Sequence, residues 1–136
     1  MESAGDAGAL LHLSDTDLAL ENPVWDVRGR KVLDADGEEI GEVDDLLIDA
    51  AERRVRFLQV SSGGFLGLGE TRFLIPSGAV DEVTPEHVRV GRHREHVAAA
   101  PRYDPTVVDE HYLADLHGYY QMPPYWGPAY MRGPYF

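Results

Sequence analysis

The chain has 136 residues, enough for one domain with its own core plus tails, and a chain of this size buries roughly two thirds of its unfolded surface. Its 24 Asp and Glu against 12 Lys and Arg leave a formal charge of -12, so nucleic-acid phosphates and anionic lipid surfaces repel it as a whole. No cysteine is present, which excludes disulfides, thiolate catalysis and Cys-bound zinc or iron–sulfur clusters.

The N-terminus, "MESAGDAGALLHLSDTD", is acidic and lacks the positive start and sustained apolar run of a secretory signal, so the chain reads as cytoplasmic. No window approaches the roughly 18 consecutive apolar residues of a spanning helix. Contact with a membrane would therefore go through a partner or along its surface. In "SDTDLAL", Ser14 and Asp17 have the spacing of a helix N-cap and its reciprocal acid, which suits a short helix or a frayed arm.

From Trp25 to Val90 the pattern becomes short β-type runs separated by turn residues. Arg30 to Leu33 leads into "DADGEE", where Asp36-Gly37 supplies the positive φ of a tight hairpin, and Glu39 to Asp49 returns with Gly41 marking a bulge or a close backbone approach. Leu46 and Ile48 then point to one side and Leu47 to the other. After the "AAER" turn, Val55 and Phe57 face away from Leu58 and Val60. Apolar groups on both faces suit a small curled barrel whose inside is filled and whose outside is covered by a helix, a tail or a partner. Arg53, Arg54 and Arg56 are expected to extend to solvent from the turn end. Thr71 to Ile75 reads as a fourth strand ended by Pro76, and Pro85 to Val90 as a last short one. "RHREHVAAA" is rich in helix formers and stops at Pro101, and a further turn of helix fits "TVVDEHYLADLHGYY".

The expected organisation is an N-terminal arm over 1–24, a barrel over 25–101 and an aromatic, Pro-rich extension over 102–136. Seven of the 13 aromatic residues and four of the nine prolines lie between Tyr119 and Phe136, beside a single charged side chain, Arg132. A solvated linker would be polar and poor in aromatics. The tail either wraps its own barrel or lies against another protein or a bilayer interface, where Tyr and Trp suit one apolar and one wet side.

No catalytic, cofactor-binding or metal-binding residue is assigned. Asp34, Asp36 and Glu39 lack the distal glutamate and flanking helices of a calcium loop, so they read as hairpin residues. "GGFLGLGE" precedes a strand rather than a helix, so it is no phosphate cradle. His93 and His96, with Glu95 or His111 as a third ligand, do not by themselves define a zinc site and read as a solvated helix face. Asp44 and Asp45 are adjacent on a strand and so point apart, and Ser61, Ser62 and Ser77 lack a nucleophile elbow. The partner-binding candidates are the apolar tip Phe65, Leu66 and Leu68 and the tail residues Tyr119, Tyr120, Tyr125, Trp126, Tyr130, Tyr135 and Phe136.

"GRKVLDADGEEIGEVDDLLID", then "RRVRFLQV", then "RFLIP", resemble the PRC-barrel family, whose fold is shared by the cytoplasmic domain of the photosynthetic reaction-centre H subunit and by part of a ribosome-maturation protein. The resemblance implies a mainly β, curled antiparallel barrel with a short C-terminal helix and an extended aromatic tail. "VAAAPRYDP" followed by "YY" is similar to the way the H-subunit chain leaves its barrel. It implies a noncatalytic, soluble H-like subunit on the cytoplasmic face of the inner membrane, capping the quinone side of a reaction-centre core. Pigments and quinone would belong to that electron-transport partner, and this chain would bind no cofactor. Gln59 and Ser61 stand where the family's proton-relaying acid would be sought. An adaptor for a soluble ribosomal or cell-division protein, or a homodimer, is the alternative reading.

Overall fold

The computed structural model describes residues 8–63, 71–106 and 108–136. Among them, seven strands form one curled sheet: β1 (Leu10–His12), β2 (Lys31–Leu33), β3 (Glu39–Asp49), β4 (Val55–Ser62), β5 (Thr71–Pro76), β6 (Val80–Val83) and β7 (His87–Val90). Two helices follow, α1 (Arg94–Ala98) and α2 (Glu110–Tyr119).

The β2–β3 hairpin forms for the reason its turn residues give. Gly37 takes φ +85°, and its N–H donates to the Asp34 carbonyl at 2.9 Å. The Asp34 carboxylate is 1% exposed and accepts the N–H groups of Asp36, Glu38 and Arg94 at 2.9, 2.9 and 3.0 Å. Burial works against its charge, but these three donors and nearby His93 outweigh burial and hold the carboxyl below the usual carboxylate range. Its oxygens therefore tie the hairpin to the start of α1 instead of facing a cation.

Strand β3 organises the rest. One edge pairs with β4, while the other is shared between β2 at Glu39–Glu42 and β1 at Leu47–Asp49. A straight strand could not serve three partners in a tight curl. Its pairing with β4 slips between Val43–Val60 and Asp45–Gln59, leaving Asp44 as the extra residue of a bulge. Gly41 lies so close to the Ser61 carbonyl oxygen that a Cβ would collide with it.

The sheet order runs β5-β4-β3-β2-β7-β6. Strands β5 and β6 stand at opposite ends of this path, yet only the 3-10 turn Ser77–Ala79 separates them in sequence, so the sheet has curled back on itself as a half-barrel. The expected all-antiparallel pairing holds except between β2 and β7, which run parallel because the chain rejoins β2 after passing around the curl.

Both faces of the central strands are covered. Leu46 and Leu58, directly opposite each other and fully buried, fill one side. On the other face Phe57 meets His117 of α2 and Tyr125 of the tail, at ring separations of 5.2 and 6.2 Å. Leu13 and Leu20 before the barrel and Tyr103, Leu113, Leu116, Tyr120 and Phe136 after it belong to the same core.

Two expectations are corrected. Ser14 and Asp17 do not cap a helix: Leu10–His12 pairs with β3, a 3-10 turn follows at Leu13–Asp15, and Ser14 Oγ donates to Asp45 Oδ1 at 2.9 Å. The pairing partner lies far along the chain and outweighs the local cap signal. Of the three arginines at the β3–β4 turn, only Arg53 reaches solvent; Arg56 is 6% exposed and Arg54 is mostly covered.

Gly41→Ala forces the β3–β4 backbones apart and is expected to destabilise the fold by about 3 kcal/mol, the upper part of the overpacking range. Urea unfolding followed by circular dichroism measures this directly.

Candidate partner interface

The β3–β4 turn builds a seat for the tail. Arg53 adopts φ +57°, its N–H donates to the Asp49 carbonyl at 2.8 Å, and its own carbonyl accepts the Glu21 N–H at 2.9 Å. The turn swings Arg56 inward, where its Nε donates to Asp49 Oδ2 at 2.7 Å and Nη2 to Glu52 Oε1 at 2.8 Å. The guanidinium then lies 4.6 Å from the Tyr125 ring centre and 5.6 Å from that of Tyr130. Arg54 holds the end of the tail, donating from Nε to the Phe136 carbonyl at 3.2 Å and from Nη2 to the Tyr130 hydroxyl at 3.1 Å. Trp25, in the 3-10 turn Pro23–Trp25, packs on Tyr135 and Phe136 at 5.9 and 5.5 Å.

The tail candidates thus divide by burial. Tyr120 and Phe136 are 0% and 3% exposed and have no surface to offer in this arrangement. Burial pushes the Tyr120 hydroxyl far above its ordinary value. Tyr119 stacks on His96 at 4.3 Å and donates its hydroxyl to the His96 carbonyl at 2.6 Å. Tyr125, Trp126, Tyr130 and Tyr135 are half-buried, each with one side on the barrel or α2 and the other facing out. Phe65, Leu66 and Leu68 lie outside the described residues. The large apolar side chains most exposed among the described residues are Met131, Val24 and Leu18.

A second feature surrounds Gln59, which is 8% exposed. Its Oε1 accepts from the Tyr103 hydroxyl at 2.9 Å and lies 3.1 Å from His12 Nε2, while its Nε2 donates to Asp44 Oδ2 at 2.7 Å. Arg72 pairs with the same Asp44 at 3.3 Å. Burial raises the Tyr103 hydroxyl above its ordinary value, Arg72 opposing and Asp45 and Asp44 adding to the shift. A cleft of about 570 Å³ opens beside Tyr103 between β5 and the Ala98–Arg102 stretch, and one of about 340 Å³ lies between His12 and Leu113. Asp45 turns from this node to Ser14, the bulge at Asp44 setting the two adjacent carboxylates apart.

His93 contacts Asp36 at 3.1 Å and His111 contacts Asp115 at 3.4 Å, apart from the stacked His96. Among the described residues no group of three or more His, Cys, Asp or Glu could hold a metal ion. No helix of the described residues is long and apolar enough to cross a membrane. Sequence reasoning missed the Arg56 seat. Its signal was an arginine flanked by valine and phenylalanine, with Asp49 across the turn.

The fold and its covered faces define a small half-barrel built around a packed core. The chain belongs to the PRC-barrel family: the family model for the PRC-barrel domain matches residues 22–93, just over half of the chain. No curated protein matches it.

His117 gives this region a pH dependence. It lies beneath Trp126, and burial lowers its pKa below the ordinary 6.5, although the 2.8 Å contact of Nδ1 with the Leu113 carbonyl pulls the other way. The unfolded chain therefore binds a proton that the folded chain resists. Stability is complete above pH 6.5 and falls as pH drops through that value toward the folded pKa. Melting temperatures from pH 7.5 to 5 are expected to fall for the native chain and to flatten in His117→Phe.

Gln59→Glu places a second carboxylate against Asp44. The new group is expected to have a raised pKa, so its stability contribution is present below the unfolded glutamate value and is lost as pH rises through the folded one. Melts at pH 5 and pH 8 should show the variant closer to the native chain at the lower pH.

Proposed function

We propose that the chain is a noncatalytic protein-binding PRC-barrel. The observation that supports this reading is how its buried carboxylates are used. Asp34 accepts backbone N–H groups, Asp45 holds Ser14, and Asp49 pairs with Arg56. Each is committed to a structural donor, whereas a catalytic acid or base needs an accessible face and a reacting partner. The tail presents half-buried tyrosines and a tryptophan, residues that suit interfaces with one apolar and one wet side.

The more specific form of this reading is a soluble H-like subunit capping a photosynthetic reaction centre on its quinone side, with pigments and quinone held by the membrane partner. The resemblance that continues past Pro101 into "YY" supports it. In that form the shielding role carries over better than proton delivery, because the Gln59 amide has no proton to relay near neutral pH. An adaptor for a soluble ribosomal or cell-division protein, or for a second copy, is favoured by the tail's packing on its own barrel, which removes Tyr120 and Phe136 from any docking surface.

Affinity capture of the tagged chain from mildly solubilised native membranes, with mass spectrometry and an absorption spectrum, tests both forms. The reaction-centre form predicts bacteriochlorophyll bands and reaction-centre polypeptides at fixed stoichiometry. A colourless eluate with a defined soluble partner rejects it in favour of the adaptor. Bait alone from both membrane and soluble fractions rejects both hetero-partner forms, and a monomer in analytical ultracentrifugation then rejects the second-copy form as well.

A further inference from the structure

We propose that the seat formed by Trp25, Arg54, Arg56 and Phe57 is a binding groove for non-acidic Tyr- and Pro-rich segments of other proteins, and that the chain's own tail occupies it in cis. This deepens the protein-binding reading and rests on it.

The tail behaves as a ligand would. Among the described residues, the backbone hydrogen bonds of residues 123–136 are those of its own turns, Gly127 N–H to the Pro124 carbonyl at 3.0 Å and Tyr130 N–H to the Gly127 carbonyl at 3.3 Å. It is held to the barrel instead by side chains: rings over Arg56, a hydroxyl and a carbonyl on Arg54, two rings on Trp25, and the exposed pair Arg132–Glu21 at 2.9 Å. Every seat residue named lies within the 22–93 stretch that defines the family, and every tail residue lies outside it.

The recognition chemistry is specific. Arg56 Nη1 is buried with no hydrogen-bond acceptor, so aromatic faces rather than carboxylates complete its surroundings, Asp49 already supplying the charge. An acidic segment would meet Asp49 and Glu52, whereas tyrosines between prolines supply rings and hydroxyls on a chain whose prolines restrict its conformations.

The tail is also an incomplete occupant. A cleft of about 160 Å³ remains beneath it, between Pro76–Val80 of the barrel and Tyr130–Tyr135. Gln121, at φ +60°, marks the point where the chain leaves α2 for this path. A tethered segment acts at an effective concentration of about a millimolar, so a partner displaces it only by fitting better, and this cleft is where a better fit is available.

The test uses the full chain with a fluorophore at Met131→Cys, a single label because the chain has no cysteine and an external one because Met131 is 84% exposed. A synthetic peptide of residues Met122–Phe136 is titrated in, beside a control peptide carrying Tyr125→Ser and Tyr130→Ser. Saturable loss of label anisotropy is expected with the first peptide, at about millimolar concentration, and not with the second. Placing the same two substitutions in the chain's own tail should let the labelled native peptide bind at tenfold or lower concentration. An unchanged anisotropy of the unmodified tail up to several millimolar peptide, or an equal response to the control, overturns the groove. A chain that fails this titration yet still captures a partner loses the groove and keeps its protein-binding role.

Discussion

The close approach of Gly41 to the Ser61 carbonyl is the constraint on which the architecture depends. It lets β3 bend beneath β4, and the bend lets one edge of β3 serve β2 near its start and β1 near its end. The bulge at Asp44 completes the change of direction and places Asp44 and Asp45 in different surroundings. Without this curl, β5 and β6 could not be joined by the three-residue turn Ser77–Ala79.

The curl creates a second requirement. Central strands that are apolar on both faces leave a convex surface to be covered, and α2 and the tail cover it. Arg56 is the organising group there. A buried ion pair adds little net stability, since desolvation of both charges offsets their attraction. What the Asp49–Arg56 pair does is fix a cation under the tyrosines, giving an otherwise irregular segment a defined register. Gln59 acts similarly further along β4, joining the N-terminal strand, the bulge and the post-barrel segment through one amide.

Much of this was legible in the residues. Asp36-Gly37 announced the hairpin, Gly41 the close approach, and the two-faced apolar runs of β3 and β4 a sheet covered on both sides. The aromatic, nearly uncharged tail left open whether it covers its own barrel or lies against a partner. Strand β1 was hidden because "LLHLS" runs into residues spaced like a helix cap, and its β3 partner cannot be deduced locally. Strand β6, "VDEV", is too short and too charged to display a period. Asp49 across the turn was a local hint for Arg56, but the groups that cover Arg54 and Arg56 come from distant parts of the chain: a carbonyl at Phe136 and rings at Tyr125 and Tyr130. Local pattern reports which residues dislike water, and a charged group covered by distant rings escapes it.

The parallel pairing of β2 with β7 carries a kinetic meaning. Residues 31–33 meet residues 87–89, whereas β2–β3, β3–β4 and β6–β7 are neighbours joined by short or moderate connections. Bringing distant segments together costs chain entropy before any contact repays it. The neighbouring hairpins are thus expected to form early and the β2–β7 seam to close afterwards. Asp34 sits beside that seam, linking the first hairpin to the start of α1. It acts as a latch: one carboxylate joins the earliest piece of the fold to a segment that can settle only once the ring has closed.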